Sequence, residues 1–162
     1  MANTDSMTGV RNKHAYSEYE RMLNHKIKEG AIKDNFAVLV CDINGLKHVN
    51  DTKGHAAGDQ LIKDACALIC EYFKHGAVFR IGGDEFAVVL NEKGYDTLEE
   101  TLASINKEIE GNIEKEKVVV SIGYSVLKEG DTQVHDVFER ADTMMYERKK
   151  QLKEMGAKTR GE

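Results

Sequence analysis

Residues 77–90 read AVFRIGGDEFAVVL, two apolar runs rich in β-forming residues on either side of two consecutive glycines and two consecutive carboxylates. The stretch reads as two antiparallel strands joined at Gly82 and Gly83, because glycine accepts the positive φ that tight hairpin turns require. Turn chemistry accounts for the glycines and leaves Asp84 and Glu85 unexplained. Adjacent carboxylates repel each other and are comfortable only when solvated or neutralised by cations.

Upstream, FAVLVCD at 36–42 is a continuous apolar run too short for a helix and rich in β-formers. It predicts a buried strand ending at Asp42. INGLKHVND follows as a turn and a short helix, and GDQLIKDACALICEYFK has the apolar spacing of an amphipathic helix. A helix from about Lys13 to Glu29, ended by Gly30, precedes them. After the hairpin come a helix from about Thr97 to Asn112, a strand VVVSIGYSV at 118–126 and a last helix over roughly Val134 to Lys153. The charged tail is expected to fray beyond that helix. The order contains a βαββαβ core, which predicts an α+β, ferredoxin-like arrangement: one central, mostly antiparallel sheet with the helices packed on one face.

With 162 residues and 41% hydrophobic content, the chain suits one globular domain with a sizeable core. The net charge of −5 argues against a nucleic-acid surface built on general basic attraction, although local basic clusters can still hold phosphates. No apolar run approaches the roughly 20 residues a membrane helix needs, and no signal peptide opens the chain. Three cysteines, Cys41, Cys66 and Cys70, form no Cys-x-x-Cys motif. Cys66 and Cys70, four apart, read as small core residues on one helix face, and the expected compartment is reducing, hence cytoplasmic. The six histidines show no ligand spacing and read mostly as surface residues.

The strand ending at Asp42 leads into Asn44 and Gly45 at the start of the short helix. Free backbone N–H groups and the positive helix end there make a ready phosphate site, while Asn44 as a plain N-cap is an equally good reading. In the predicted fold this strand neighbours the hairpin, so Asp42, Asp84 and Glu85 can converge. Three carboxylates beside a phosphate cradle describe a magnesium site for nucleotide chemistry. GHAAGDQ at 54–60 is not a P-loop, since it lacks the lysine and hydroxyl that motif needs.

DSMTGVRN (5–12), DINGLKHVNDTKGHAAGDQLI (42–62), RIGGDEF (80–86), SIGYS (121–125) and ADTMMYERKK (141–150) occur in the order found in GGDEF domains. The chain resembles that family, the diguanylate cyclases, which are similar in fold to adenylyl cyclases and polymerase palm domains. The resemblance implies condensation of two GTP molecules into cyclic di-GMP with release of two pyrophosphates, at the interface of a homodimer. It implies two magnesium ions per active site, with manganese as a possible substitute, held by Asp42, the carbonyl of Ile43, Asp84 and Glu85. Glu85 is implied to help deprotonate the 3′-hydroxyl, and Gly82 and Gly83 to let the backbone come close to the nucleotide. Asn50 and Asp59 match the positions that read guanine, and Lys47, Lys149 and Lys153 match positions that hold phosphates. Members usually carry a sensory domain in front, so an upstream sensory domain is expected, and a membrane tether in the parent protein stays open.

The chain departs from the family pattern in several places. Asn44 stands where the family often has a second aspartate, Leu46 and Leu152 replace a phenylalanine and a glycine, and Lys74, His75, Gly76 and Ala77 occupy the positions of the product-binding Arg-x-x-Asp. The alternative reading is a catalytically degenerate domain that binds GTP and regulates a neighbour.

Overall fold

The computed structural model describes residues 2–32 and 35–157. Its elements are α1 (Lys13–Lys28), β1 (Phe36–Ile43), α2 (Leu46–Lys53), α3 (His55–Tyr72), β2 (Ala77–Arg80), β3 (Glu85–Asn91), α4 (Glu92–Asp96), α5 (Leu98–Glu114), β4 (Val120–Val126) and α6 (Val134–Glu154). The four strands form one sheet in the order β2-β3-β1-β4, antiparallel at every junction. This is the ferredoxin-like order that the βαββαβ succession predicts. The two split connections, β1 to β2 and β3 to β4, carry α3 and α5.

The helices do not all lie on one face, contrary to the expectation from the element order. Every residue of β1 is buried, which requires cover on both sides of the sheet. Leu39, Cys41 and Ile43 point into a core with Ile62, Ala65 and Ile69 of α3 and Ile105 and Ile109 of α5. Phe36 and Val38 point the other way, onto Tyr16 and Leu23 of α1 and Val134 and Val137 of α6, and Val40 meets Ala141 and Met145. The terminal helices thus form a layer of their own, which a βαββαβ core does not by itself demand.

Gly123 decides how near α6 comes. A Cβ there would overlap the Ala141 carbonyl oxygen and the Met145 backbone nitrogen, so the helix backbone lies directly on β4. At its C-terminus α6 ends in a Schellman turn, in which Gly156 (φ 107°) donates to the Lys153 carbonyl and Ala157 to that of Leu152. Leu152 is fully buried in the core. The fraying expected beyond Lys153 is therefore not found at 154–157, where the helix continues to Glu154 and the turn closes on Ala157; the rest of the tail, 158–162, lies outside the described residues.

Smaller differences have local causes. The helix predicted from Gly58 begins at His55, because Gly54 (φ 91°) separates α2 from α3 and the following residues already turn. The short α4 escaped prediction, since five residues, EKGYD, are too few to show a helical period. Arg11 extends the sheet beyond β2, where its carbonyl accepts from the Arg80 amide at 2.8 Å.

Candidate active site

Asp42 is the penultimate residue of β1, and its register partner on β3 is Glu85. Because side chains alternate along a strand, both carboxylates point to the face covered by α6. The Ile43 amide donates to the Asp84 carbonyl at 2.8 Å, which ties the hairpin to the end of β1. Asp42, Ile43, Asp84 and Glu85 therefore meet at one corner of the sheet.

The turn itself corrects the sequence reading. Neither Gly82 nor Gly83 has a positive φ. Four residues, 81–84, separate the strands, and the amides of Ile81 and Gly82 both donate to the Glu85 carbonyl at 2.9 and 3.2 Å. A loop of that width does not need the left-handed backbone of a two-residue turn. Around Gly83 a Cβ would meet nothing within 4 Å, and both glycines are exposed, so the backbone faces open space. Arg80 braces the loop from inside, with Nη2 donating to the Gly83 carbonyl at 2.9 Å and Nη1 3.3 Å from both carboxylate oxygens of Asp5.

Asn44 is not an N-cap. Gly45, left-handed at φ 76°, takes that position for α2. The Asn44 side chain is buried, its Oδ1 accepting from Ser121 Oγ at 2.6 Å and its Nδ2 left without a partner. Lys47 is exposed on the first turn of α2. Asn50 is half-buried and lies against α3 where Gly58 has no side chain: a Cβ on Gly58 would overlap Asn50 Oδ1. Asp59 is the next residue, exposed on the first turns of α3. A cleft of about 1140 Å³ lies between α2, α3 and the end of α5; Asn44 and Gly45 line it, whereas Asp42, Asp84, Glu85, Asn50 and Asp59 do not.

From α6, Lys149 reaches Asp42, with Nζ 2.9 Å from Oδ2. Lys153, one turn further on, is exposed. Asp42 is 6% exposed, and its Oδ1 is buried without a hydrogen-bond partner. Burial pushes its carboxyl above the ordinary range; the Lys149 hydrogen bond opposes that push, and the charge of Asp84 adds to it. Glu85 is also pushed up, first by burial and then by Asp42, Asp142 and Asp84. Asp142 on α6, itself pushed up by burial, was not anticipated from the sequence. Its spacing of seven from Lys149, two helical turns, was the signal that both face the sheet.

The corner thus holds four carboxylates and one ammonium, with one carboxylate oxygen unpaired, and a cation would relieve that imbalance. Among the described residues, no three acidic, histidine or cysteine side chains stand close enough to form a ready-made metal cage. The unpaired Asp42 oxygen and the neighbouring carboxylates are hard oxygen donors, the ligand type that a divalent cation such as magnesium takes.

The family described as diguanylate cyclase, GGDEF domain, matches residues 2–155. The chain is a member of the GGDEF family. It is 30% identical over 158 residues to diguanylate cyclase A of Treponema denticola, covering 92% of this chain and 42% of that protein. It is 32% identical over 152 residues to the cyclic di-GMP phosphodiesterase PdeR of Escherichia coli, covering 90% of this chain and 22% of that one. The chain spans less than half the length of these curated relatives. Among solved structures, the GGDEF domain of DgcB from Caulobacter crescentus, in complex with c-di-GMP, superposes with a TM-score of 0.77 at 28% identity, covering 93% of this chain and 91% of that one. The FimX GGDEF domain from Pseudomonas aeruginosa, with a TM-score of 0.78 at 19% identity, shows the shared fold.

Within this GGDEF domain the departures from the family pattern acquire a structural meaning. Leu152 serves the core, and Leu46 packs against its edge. No helix among the described residues is long and apolar enough to cross a membrane.

Proposed function

We propose that this GGDEF domain is an active diguanylate cyclase, which joins two GTP into cyclic di-GMP across a homodimer, each subunit presenting one GTP-loaded half-site. The observation that carries this reading is the pairing of Asp42 with Glu85 across β1 and β3, beside Asp84, with a buried Asp42 oxygen that has no protein partner. Asp42, the Ile43 carbonyl, Asp84 and Glu85 would hold two magnesium ions, or manganese in their place. Such cations supply charge neutralisation on the phosphates and a lower pKa for the attacking hydroxyl.

The chain's own residues do the remaining work. Glu85 takes the proton from the 3′-hydroxyl, its raised proton affinity suiting a base. The open hairpin at Gly82 and Gly83, the start of α2 at Asn44 and Gly45, and the ammonium groups of Lys47, Lys149 and Lys153 receive phosphates. Lys149 neutralises Asp42, and its ammonium would be available to phosphate where cations held that carboxylate. Asn50 and Asp59 read the guanine edge: the carboxylate accepts from N1–H and N2–H₂, donors that adenine does not present in that pattern. Gly58 belongs to this pair, since it leaves room for the Asn50 amide.

A second reading, a GTP-binding regulatory domain without catalysis, draws on the likeness to a region of a protein named as a phosphodiesterase. Incubation with GTP and magnesium, read by mass spectrometry, separates the two. The cyclase yields cyclic di-GMP, with specific activity that rises with protein concentration and with ATP a poor substrate. GTP binding without product, in a protein shown to be folded, would establish the regulatory reading instead.

Feedback by product is expected to be weak. Lys74 and His75 are both exposed and Ala77 opens β2, where other members carry an arginine and an aspartate. Lysine keeps the charge but lacks the planar bidentate fork, and alanine offers no acceptor. Losing one charged hydrogen-bond partner costs about 1.5–3 kcal/mol, and here two are weakened together. Kinetics with added cyclic di-GMP should therefore show competition with GTP only. Strong noncompetitive inhibition would mean that other residues have rebuilt the product site.

A further inference from the structure

Cys66 and Cys70 sit one turn apart on α3 with their Sγ atoms 4.0 Å from each other. Cys66 is 5% exposed, whereas Cys70 is half-buried and reachable from solvent. The hydrogen bond between the two thiols lowers the proton affinity of Cys70 and raises that of Cys66. An accessible thiol inclined to ionise, next to a protected second thiol, is the arrangement in which a first oxidation is followed by closure of a disulfide. Cys41 makes an internal contrast: it is fully buried in β1, and burial pushes its thiol up.

We propose that Cys66 and Cys70 form a hydroperoxide-sensitive dithiol, with Cys70 oxidised first and Cys66 closing the disulfide. The Cys70 thiolate attacks the distal oxygen of the hydroperoxide. The O–O bond breaks, Cys70 becomes a sulfenic acid, and the departing alkoxide or hydroxide takes up the proton that Cys70 lost. The Cys66 sulfur then attacks Cys70 Sγ, and its proton leaves with the sulfenic hydroxyl as water. The two thiols lose two electrons in all and the hydroperoxide gains them.

The helix makes the bond reversible. Residues four apart on a helix have Cβ atoms about 5–6 Å apart, whereas a relaxed disulfide holds them at about 3.5–4.5 Å. Closure therefore tightens one turn of α3, and a disulfide strained in this way is readily reduced, as suits a switch rather than a permanent staple.

Both cysteines fall within one tryptic segment, DACALICEYFK at 64–74, so the disulfide reads directly as a mass. The intact protein is treated with a few equivalents of hydrogen peroxide, blocked, digested and mapped. The expected result is a 64–74 peptide lighter by two hydrogens, restored by dithiothreitol, with Cys41 still a thiol. In Cys66→Ser the sulfenic acid on Cys70 should instead persist and be trapped by dimedone, at several times the level in the parent; Cys66→Ala gives the same comparison if serine is not tolerated in the core. The proposal fails if Cys70 of the parent stays reduced, if it advances to sulfinic acid without a disulfide, if the parent traps dimedone as fully as the variant, or if Cys41 is oxidised first.

Discussion

Glu85→Gln is expected to lower cyclic di-GMP synthesis by about 10²-fold or more while making the domain without nucleotide slightly more stable. The loss of turnover follows from removing the base and one carboxylate oxygen from the corner where charge develops. The gain in stability follows from the direction of the Glu85 shift. Burial, Asp42, Asp142 and Asp84 raise its proton affinity in the folded chain, so the ionised form is disfavoured by folding once the pH exceeds that raised value. Glutamine is neutral at every pH and escapes the penalty. Since Glu85 is only half-buried, solvent screens much of the effect, and the gain at neutral pH is small. Thermal melts without metal, paired with product assays, check both signs. Equal turnover in the two proteins would remove Glu85 from the mechanism.

Gly123→Ala should destabilise the fold by about 3 kcal/mol, the upper part of the range for overpacking. A Cβ at this position has no flexible neighbour to displace, because the atoms it would overlap, the Ala141 carbonyl oxygen and the Met145 nitrogen, are helix backbone. Relief requires α6 to lift from β4 as a body. For a domain of this size the melting temperature should fall by roughly 10 °C. The same movement withdraws Lys149 from Asp42, now 2.9 Å apart, and carries Asp142 away from Glu85, so activity should fall even where the variant is still folded. Gly111→Ala, at an exposed position of α5 where a Cβ would meet nothing within 4 Å, is the control and should leave both unchanged or better.

Both expectations depend on α6, and α6 marks the boundary between what was legible in the residues and what was not. The strand ending at Asp42, the hairpin before Glu85, the amphipathic α3 and α5 and the βαββαβ order are local matters. They are written in apolar period, strand length and helix ends, which short-range backbone geometry imposes on any chain. The convergence of Asp42 with Asp84 and Glu85 followed from that order once β1 and β3 were known to be neighbours.

Long-range packing settled the rest. No local pattern says that α1 and α6 cover the second face of the sheet, since an amphipathic helix states which of its sides is apolar and not which surface that side will meet. For the same reason Lys149, matched in the sequence to a phosphate-holding position, was not expected against Asp42, and the seven-residue spacing of Asp142 from Lys149 puts both on one helix face without saying that this face meets Glu85. Gly58 and Gly123 stand within the matched motifs with nothing in the neighbouring residues to say why, because what each makes room for, the Asn50 amide and the α6 backbone, approaches from elsewhere in the chain. Gly82 and Gly83 misled in the opposite sense: residue type predicted a left-handed turn, but the hydrogen bonds to the Glu85 carbonyl set a wider loop that needs none. Composition and period determine which elements form and in what order; only the folded chain decides which side chains share a face, because a distance between residues a hundred positions apart is a property of the packing and of no single segment.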